Sequence, residues 1–291
     1  SNVIIEKNTE IDTSSIKYGK GGEVVVWTDI HNKAGKTSVK GSLSAKGGQY
    51  GGDGGRIETS GHVLDINNIK VSTKSAKGKD GQWLLDPYNI EIASSGSSDY
   101  TANEDDEIIS ASTLVSALAS SNITVRTDGG GSQEGNITVS SAISSSSSND
   151  LTLDADNDII ISANITRSGS GGLVLTTGSG SVSGSGAISL GGGSSISSSS
   201  GATVENNISL TSGNATFNQS GTAEYSGVIS GSGNFIKSGL GTVTLSGTNT
   251  YTGDTTLNAG TFTVSGTLSD STDVIVNSGA TYDVNTNDTI Q

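Results

Sequence analysis

The chain has 291 residues, with 42 Gly, about 50 Ser, one Pro, three Phe, two Trp and no Cys. Without Cys there is no disulfide framework, thiolate zinc site or thiol nucleophile, and the scarcity of aromatic and helix-forming residues argues against a helical bundle, a Rossmann domain or a TIM barrel. The formal charge of −14 is uneven: residues 1–92 carry twelve Lys and Arg against eleven Asp and Glu, and 93–291 carry three against eighteen, which makes nucleic acid a poor partner.

Gly and Ser make up nearly a third of the chain, a disorder-like composition, yet Val, Ile and Leu recur on a two-residue beat that only a strand uses. In chain order, strands are expected at 24–27 and 63–66. Next, Trp83, Leu84 and Leu85 form an unbroken apolar run suited to a strand covered on both faces. Pro87 extends Asp86 and offers no amide, so pairing stops there and the cross-section should change. Within 105–125, Ala111, Leu114, Val115 and Leu118 fall at helical spacing behind Ser110, predicting a helix over 110–119 that packs its Leu114 and Leu118 face on the strands. Strands resume at 123–125, 137–139, 151–153, 173–175, 208–210, 243–245, 262–264, 274–276 and 282–284. Paired glycines at 47–48, 51–52 and 54–55 suit tight corners of positive φ.

A sandwich or antiparallel barrel would need more bulky residues between its sheets. The expected fold is therefore all-β, a right-handed parallel β-helix (β-solenoid) with one short helical excursion, its slender interior filled by small aliphatic groups. A typical solenoid period of roughly 20 to 25 residues and a spacing of ~4.8 Å give on the order of 12 coils and a rod of roughly 55 to 60 Å.

Three stretches, GGEVVVWTD (21–29), GSLSAKGGQYGGDGGRIETSGHVLDI (41–66) and GQWLLDPYNIEI (81–92), resemble the filamentous-haemagglutinin-like and high-molecular-weight adhesins of two-partner secretion, over roughly residues 1–127. The run YSGVISGSGNFIKSGLGTVTLSGTNTYTGDTTLNAGTFTVSG (225–266) resembles the autotransporter-associated β-strand repeat. The resemblance implies a secreted, surface-displayed segment that meets host-cell or matrix glycans or proteins, with the outer-membrane transporter engaged by regions outside it. The expected domains are exoprotein-type coils over 1–92, a loop and helix excursion over 93–122, Ser/Gly-rich coils over 123–224 and transport-repeat coils over 225–291. With neither a leader nor a Met, the chain is expected to be an excised segment and monomeric, and no apolar stretch is long enough for a membrane span.

Candidate chemistry is sparse. Ser60, His62 and Asp65 lie close in sequence, but strand alternation sends neighbours to opposite faces and no nucleophile elbow is present. Asp154, Asp156 and Asp158 alternate, so on one strand they would share a face and could hold calcium, the one cofactor considered. As an EF-hand loop the run fails, with Ile159 at the glycine position and Ile165 where Glu belongs, and an Asx turn into 159–161 is the plainer reading. Glu104, Asp105, Asp106 and Glu107 are read as charges favouring the helix start. Tyr225 and Tyr251, with Tyr50, Tyr88 and Tyr100, could form an aromatic platform for a glycan. Sequons begin at Asn122, Asn136, Asn164, Asn207, Asn214, Asn218 and Asn287, and some resembling adhesins are N-hexosylated. The functional expectation is a non-enzymatic stalk or contact segment. Its alternatives are a carbohydrate-active β-helix enzyme, poorly supplied because only Arg126, Arg167 and Lys237 are basic after residue 92, and a nutrient-scavenging exoprotein that grips a host carrier.

Overall fold

The computed structural model describes residues 2–32, 34–94, 107–128, 134–178 and 180–284. They form two compact units, one of 1–143 with 149–157 and one of 144–148 with 158–291. Both are parallel β-helices: within each, strands pair in parallel with their counterparts one coil on. No helix among the described residues is long and apolar enough to cross a membrane.

In the first unit each of three coils contributes three strands. The first has Asn2–Ile5, Glu10–Asp12 and Glu23–Trp27; the second Lys36–Val39, Ser42–Ser44 and Arg56–Ser60; the third Val63–Asp65, Lys70–Ser72 and Gln82–Asp86. Alternation decides what is buried. In Glu23–Trp27, Val24 and Val26 point inward while Val25 and Trp27 point out. Stacking then places Val24 beside Ile57, Trp83, Ile123 and Leu151, and Val26 beside Thr59, Leu85, Val125 and Leu153. Trp83, the largest of these, is fully buried and donates from Nε1 to Thr59 Oγ1 at 3.1 Å, so its polar edge is satisfied inside the core. Leu84, on the opposite face, is also buried, the two-sided cover that the apolar run implied.

Coils in this unit are longer than the expected solenoid period, since Glu23 lies beside Arg56 and Arg56 beside Gln82. The excess sits in glycine-rich corners, which add length without adding apolar periodicity. These glycines serve close approach as well as turning. A Cβ on Gly55 would lie 1.9 Å from the Gly22 carbonyl oxygen of the preceding coil, so the coils can stack there only without a side chain.

The cross-section changes after Pro87. Ile90–Ala93 opens a new sheet between Glu107–Ser110 and Ile137–Val139, and the helix Ala111–Leu118 occupies the place between Glu107–Ser110 and Asn122–Arg126 that a strand fills in the earlier coils. Its start is fixed by Ser110, whose Oγ accepts from Thr113 N at 3.2 Å. Ala111, Leu114, Ala117 and Leu118 are buried, with Ser120 Oγ donating to the Val71 carbonyl at 3.2 Å just past the helix. Of the acidic residues expected at the helix start, only Glu107 is described, and it is not in the helix. The first helical turn contains none, Glu107 begins the preceding strand, and 104–106 lie outside the described residues.

The second unit is more regular. Ile188, Ile208 and Ile229 stack in one column, and Val204, Tyr225, Leu245 and Val264 in another. Its coils are shorter, as the pairing of Phe235 with Thr255 shows. Its interior is not purely aliphatic. Phe217 and Phe235 stack at 4.1 Å between ring centroids, Phe235 also meets Phe262 at 5.1 Å and Tyr251 at 5.9 Å, and all four rings are buried. Two cations are inside as well, Arg167 and Lys237, because each shares strand parity with an inward apolar residue, Ile165 and Phe235 respectively. The Lys237 ammonium donates to the carbonyls of Ser238 and Gly239 at 2.8 Å each and of Ala259 at 3.2 Å; burial lowers its pKa.

Candidate functional site

Burial disposes of several sequence candidates. Tyr225 and Tyr251 are inside the coils and present no ring to a surface ligand; burial pushes the Tyr225 phenol up to about 12, and Tyr251 Oη lies 2.6 Å from Thr255 Oγ1. Tyr88 is buried between the only two imidazoles, His31 and His62, with His31 Nδ1 at 2.7 Å from its hydroxyl. Tyr100 and Asn287 lie outside the described residues.

Ser60, His62 and Asp65 form no triad. Ser60 Oγ donates to Glu58 Oε1 at 3.1 Å, His62 Nδ1 faces the Ile30 carbonyl at 2.9 Å, and Asp65 Oδ2 accepts from Ser38 Oγ at 3.0 Å. The aspartate run does not share one strand face either, because the strand Leu151–Ala155 ends before Asp156. Asp154 accepts from Arg126 and Asp158 from Ser181 N, at 2.9 and 2.7 Å. Among the described residues no group of three His, Cys, Asp or Glu side chains could hold a metal ion.

The sequon asparagines divide by accessibility. Asn164, Asn207, Asn214 and Asn218 are exposed, whereas Asn122 and Asn136 are half-buried. Asn122 Nδ2, the atom a sugar would be joined to, donates to the carbonyls of Asp80 and Gly81 at 2.9 and 3.0 Å. The Oδ1 atoms of Asn164 and Asn207 accept from Ala187 N and Val228 N on the next coil, at 2.9 Å each, a coil-locking role.

The richest outward surface is the face of the sheet made by Glu23–Trp27, Arg56–Ser60, Gln82–Asp86, Asn122–Arg126 and Leu151–Ala155. Parallel register lays its outward residues in rows. One row runs Trp27, Ser60, Asp86, Arg126, Asp154, and its neighbour runs Val25, Glu58, Leu84, Thr124, Thr152; Ser60, Leu84 and Thr124 are buried within these rows, so the accessible part is Val25, Trp27 and Arg126 with the half-buried carboxylates between them. Arg56 bridges Glu23 and Glu58, and Arg126 binds Asp154 at 2.9 Å. Both guanidiniums are held above their ordinary pKa, Arg56 first by Glu23 and Arg126 first by Asp154. Asp86 differs: its Oδ1 is buried with no hydrogen-bond partner. Burial, then the nearby Asp128 charge, push its carboxyl up to about 6, against the pull of Arg126. Trp27, 57% exposed, ends that row.

This face joins an apolar ring to alternating charges, a surface that can hold a polar polymer by stacking and ion-dipole contacts. It was hidden from the sequence because Trp27, Asp86 and Arg126 are far apart in the chain and come into one row only through the unequal lengths of the coils between them. At the other end of the chain the strands Asn234–Ser238, Thr242–Leu245, Thr255–Leu257 and Gly260–Val264 pair one coil on at a nearly constant offset. Residues 235–264 match the passenger-associated transport repeat. The match fits an autotransporter-like passenger repeat and falls inside the 225–266 stretch read that way from sequence. No curated protein matches the chain.

Proposed function

We propose that this chain is a non-enzymatic stalk or contact segment of a secreted, surface-displayed bacterial adhesin of the filamentous-haemagglutinin-like kind, attaching to cells, matrix or biofilm. The observation that carries the reading is the transport-repeat match over 235–264, on coils whose side chains alternate between a packed interior and an outward surface. The mechanism is multivalent: rows of weak polar and aromatic contacts on a stiff backbone act together, so avidity replaces a single tight pocket. Export is assigned to an outer-membrane transporter engaged by other parts of the full protein.

The test is attachment of beads coated with the purified chain to epithelial cells and to immobilised matrix. Saturable attachment, inhibited by soluble chain, is the expected result; attachment no greater than that of uncoated beads would overturn the reading. One observation favours a glycan-cleaving alternative: Asp86, whose carboxyl is raised to about 6, stands in one row with Asp154, with Arg126 between them, and two carboxyl groups of unequal pKa are what glycoside hydrolysis uses. Sugar release from a polysaccharide panel, abolished by Asp86→Asn, would establish that alternative in place of the stalk.

A further inference from the structure

The corner between the first two strands of each coil differs in length along the first unit. In the first coil residues 6–9 join Asn2–Ile5 to Glu10–Asp12, and in the third coil residues 66–69 join Val63–Asp65 to Lys70–Ser72. The middle coil uses only Lys40 and Gly41 between Lys36–Val39 and Ser42–Ser44. The outer corners are built alike, with Asn8 and Asn68 at φ of 73° and 65° and closing bonds from Thr9 N to Glu6 O and from Ile69 N to Ile66 O. The middle corner is recessed between them. Gly41 permits this, since a Cβ there would lie 2.3 Å from the Thr9 carbonyl oxygen.

The recess is a cleft of about 460 Å³, lined by Lys40, Gly41 and Ser42 of the middle coil, by Lys7 and Asn8 on one side and by Asp65, Asn67, Asn68 and Lys70 on the other, a size suited to one or two sugar rings. Each coil supplies one lysine. Lys40 is matched by Asp65 at 3.5 Å, whereas Lys7 and Lys70 have no ion pair among the described residues. Glu6 and Glu10 belong to the first coil's corner and the strand after it, and Glu10 shares its row with Ser42 and Lys70, so the charge excess on the cleft is modest. Two backbone amides at the cleft are already committed: Ser42 N donates to Thr9 O and Lys70 N to Gly41 O, at 2.9 and 3.1 Å. These two amides are therefore not open to an anion. The cleft offers two ammoniums, carboxamides and a hydroxyl.

We infer that this cleft binds a uronate unit of an acidic polysaccharide, its carboxylate between Lys7 and Lys70 and its ring hydroxyls on Asn8, Asn68 and Ser42. The inference rests on the contact-segment reading and names the ligand class for one of its surfaces.

The test is calorimetric titration of the full chain with trigalacturonate, with maltotriose and inorganic sulfate as comparison ligands at matched ionic strength. Trigalacturonate should bind and maltotriose should not. The exposed double variant Lys7→Gln/Lys70→Gln should bind at least about tenfold more weakly, the loss expected for charge-assisted hydrogen bonds, and Lys7→Arg/Lys70→Arg should restore binding. Absence of trigalacturonate binding, equal binding of maltotriose, displacement by equimolar sulfate, or indifference to the Gln pair would each overturn the inference. Cell attachment that persists when trigalacturonate fails to bind would sink the cleft alone; loss of attachment by the unaltered chain would sink the contact-segment reading itself.

Discussion

Replacing Asp86 by Asn should stabilise the first unit at neutral pH. Asp86 has a buried, unpartnered Oδ1 and a carboxyl raised from 3.8 to about 6. The folded protein thus holds this proton more tightly than the unfolded chain does. The wild type therefore gains stability as pH falls through about 6, the gain is complete below 3.8, and it is lost again as pH rises. Above pH 7 the ionised group costs up to ~3 kcal/mol, an upper bound because the side chain is only half-buried. Asn keeps the shape and cannot ionise. Asp86→Asn should therefore be more stable than wild type by ~1 to 3 kcal/mol at pH 7.5, with the difference falling to about a fifth of that by pH 4. Urea unfolding from pH 4 to 8, followed by tryptophan fluorescence, reads this directly because both Trp residues, Trp27 and Trp83, belong to the first unit. A variant less stable than wild type at pH 7.5, or a difference that does not change with pH, would refute the reasoning and show that Arg126 holds Asp86 ionised at little cost.

Phe235→Ala removes the ring that touches Phe217, Tyr251 and Phe262, and should cost about 3 to 5 kcal/mol, read as earlier urea unfolding and faster proteolysis of the second unit. Lys237→Met keeps the stem but strands three carbonyl acceptors, and should cost about 1 to 3 kcal/mol in the same assay. Ser110→Ala removes the acceptor for Thr113 N, and should cost about 1 kcal/mol, visible as faster amide exchange over the first helical turn.

Much of this architecture was legible because strand parity and capping are local signals. Ser110 and the Leu114 and Leu118 face announce the helix within a short stretch of chain, and the Trp83, Leu84, Leu85 run announces a strand covered on both sides. Coil length in the first unit was not legible, since glycine corners carry no apolar beat and can lengthen freely. The buried cations were legible in principle. Lys237 follows Phe235 by two positions and Arg167 follows Ile165 by two, so parity alone sends them inward, against the expectation that charge stays outside. The same parity places Tyr225 with Ala223 on the inward side, which withdraws it as a surface platform. The outward row from Trp27 to Asp154 could be found only once the offsets between coils were known.

Every surface described depends on parallel stacking with a fixed register, and the cysteine-free chain allows a clean measurement of it. Ser209 and Ser230 are parallel partners on adjacent coils, both on the outward side of their strands, within the Cα separation a disulfide spans, roughly 4.4 to 6.8 Å. The variant Ser209→Cys/Ser230→Cys should form an intramolecular disulfide rapidly and quantitatively under mild oxidation, with attachment to cells retained. Free thiols after oxidation, or efficient bridging only between pairs placed as antiparallel layers would require, would contradict the account.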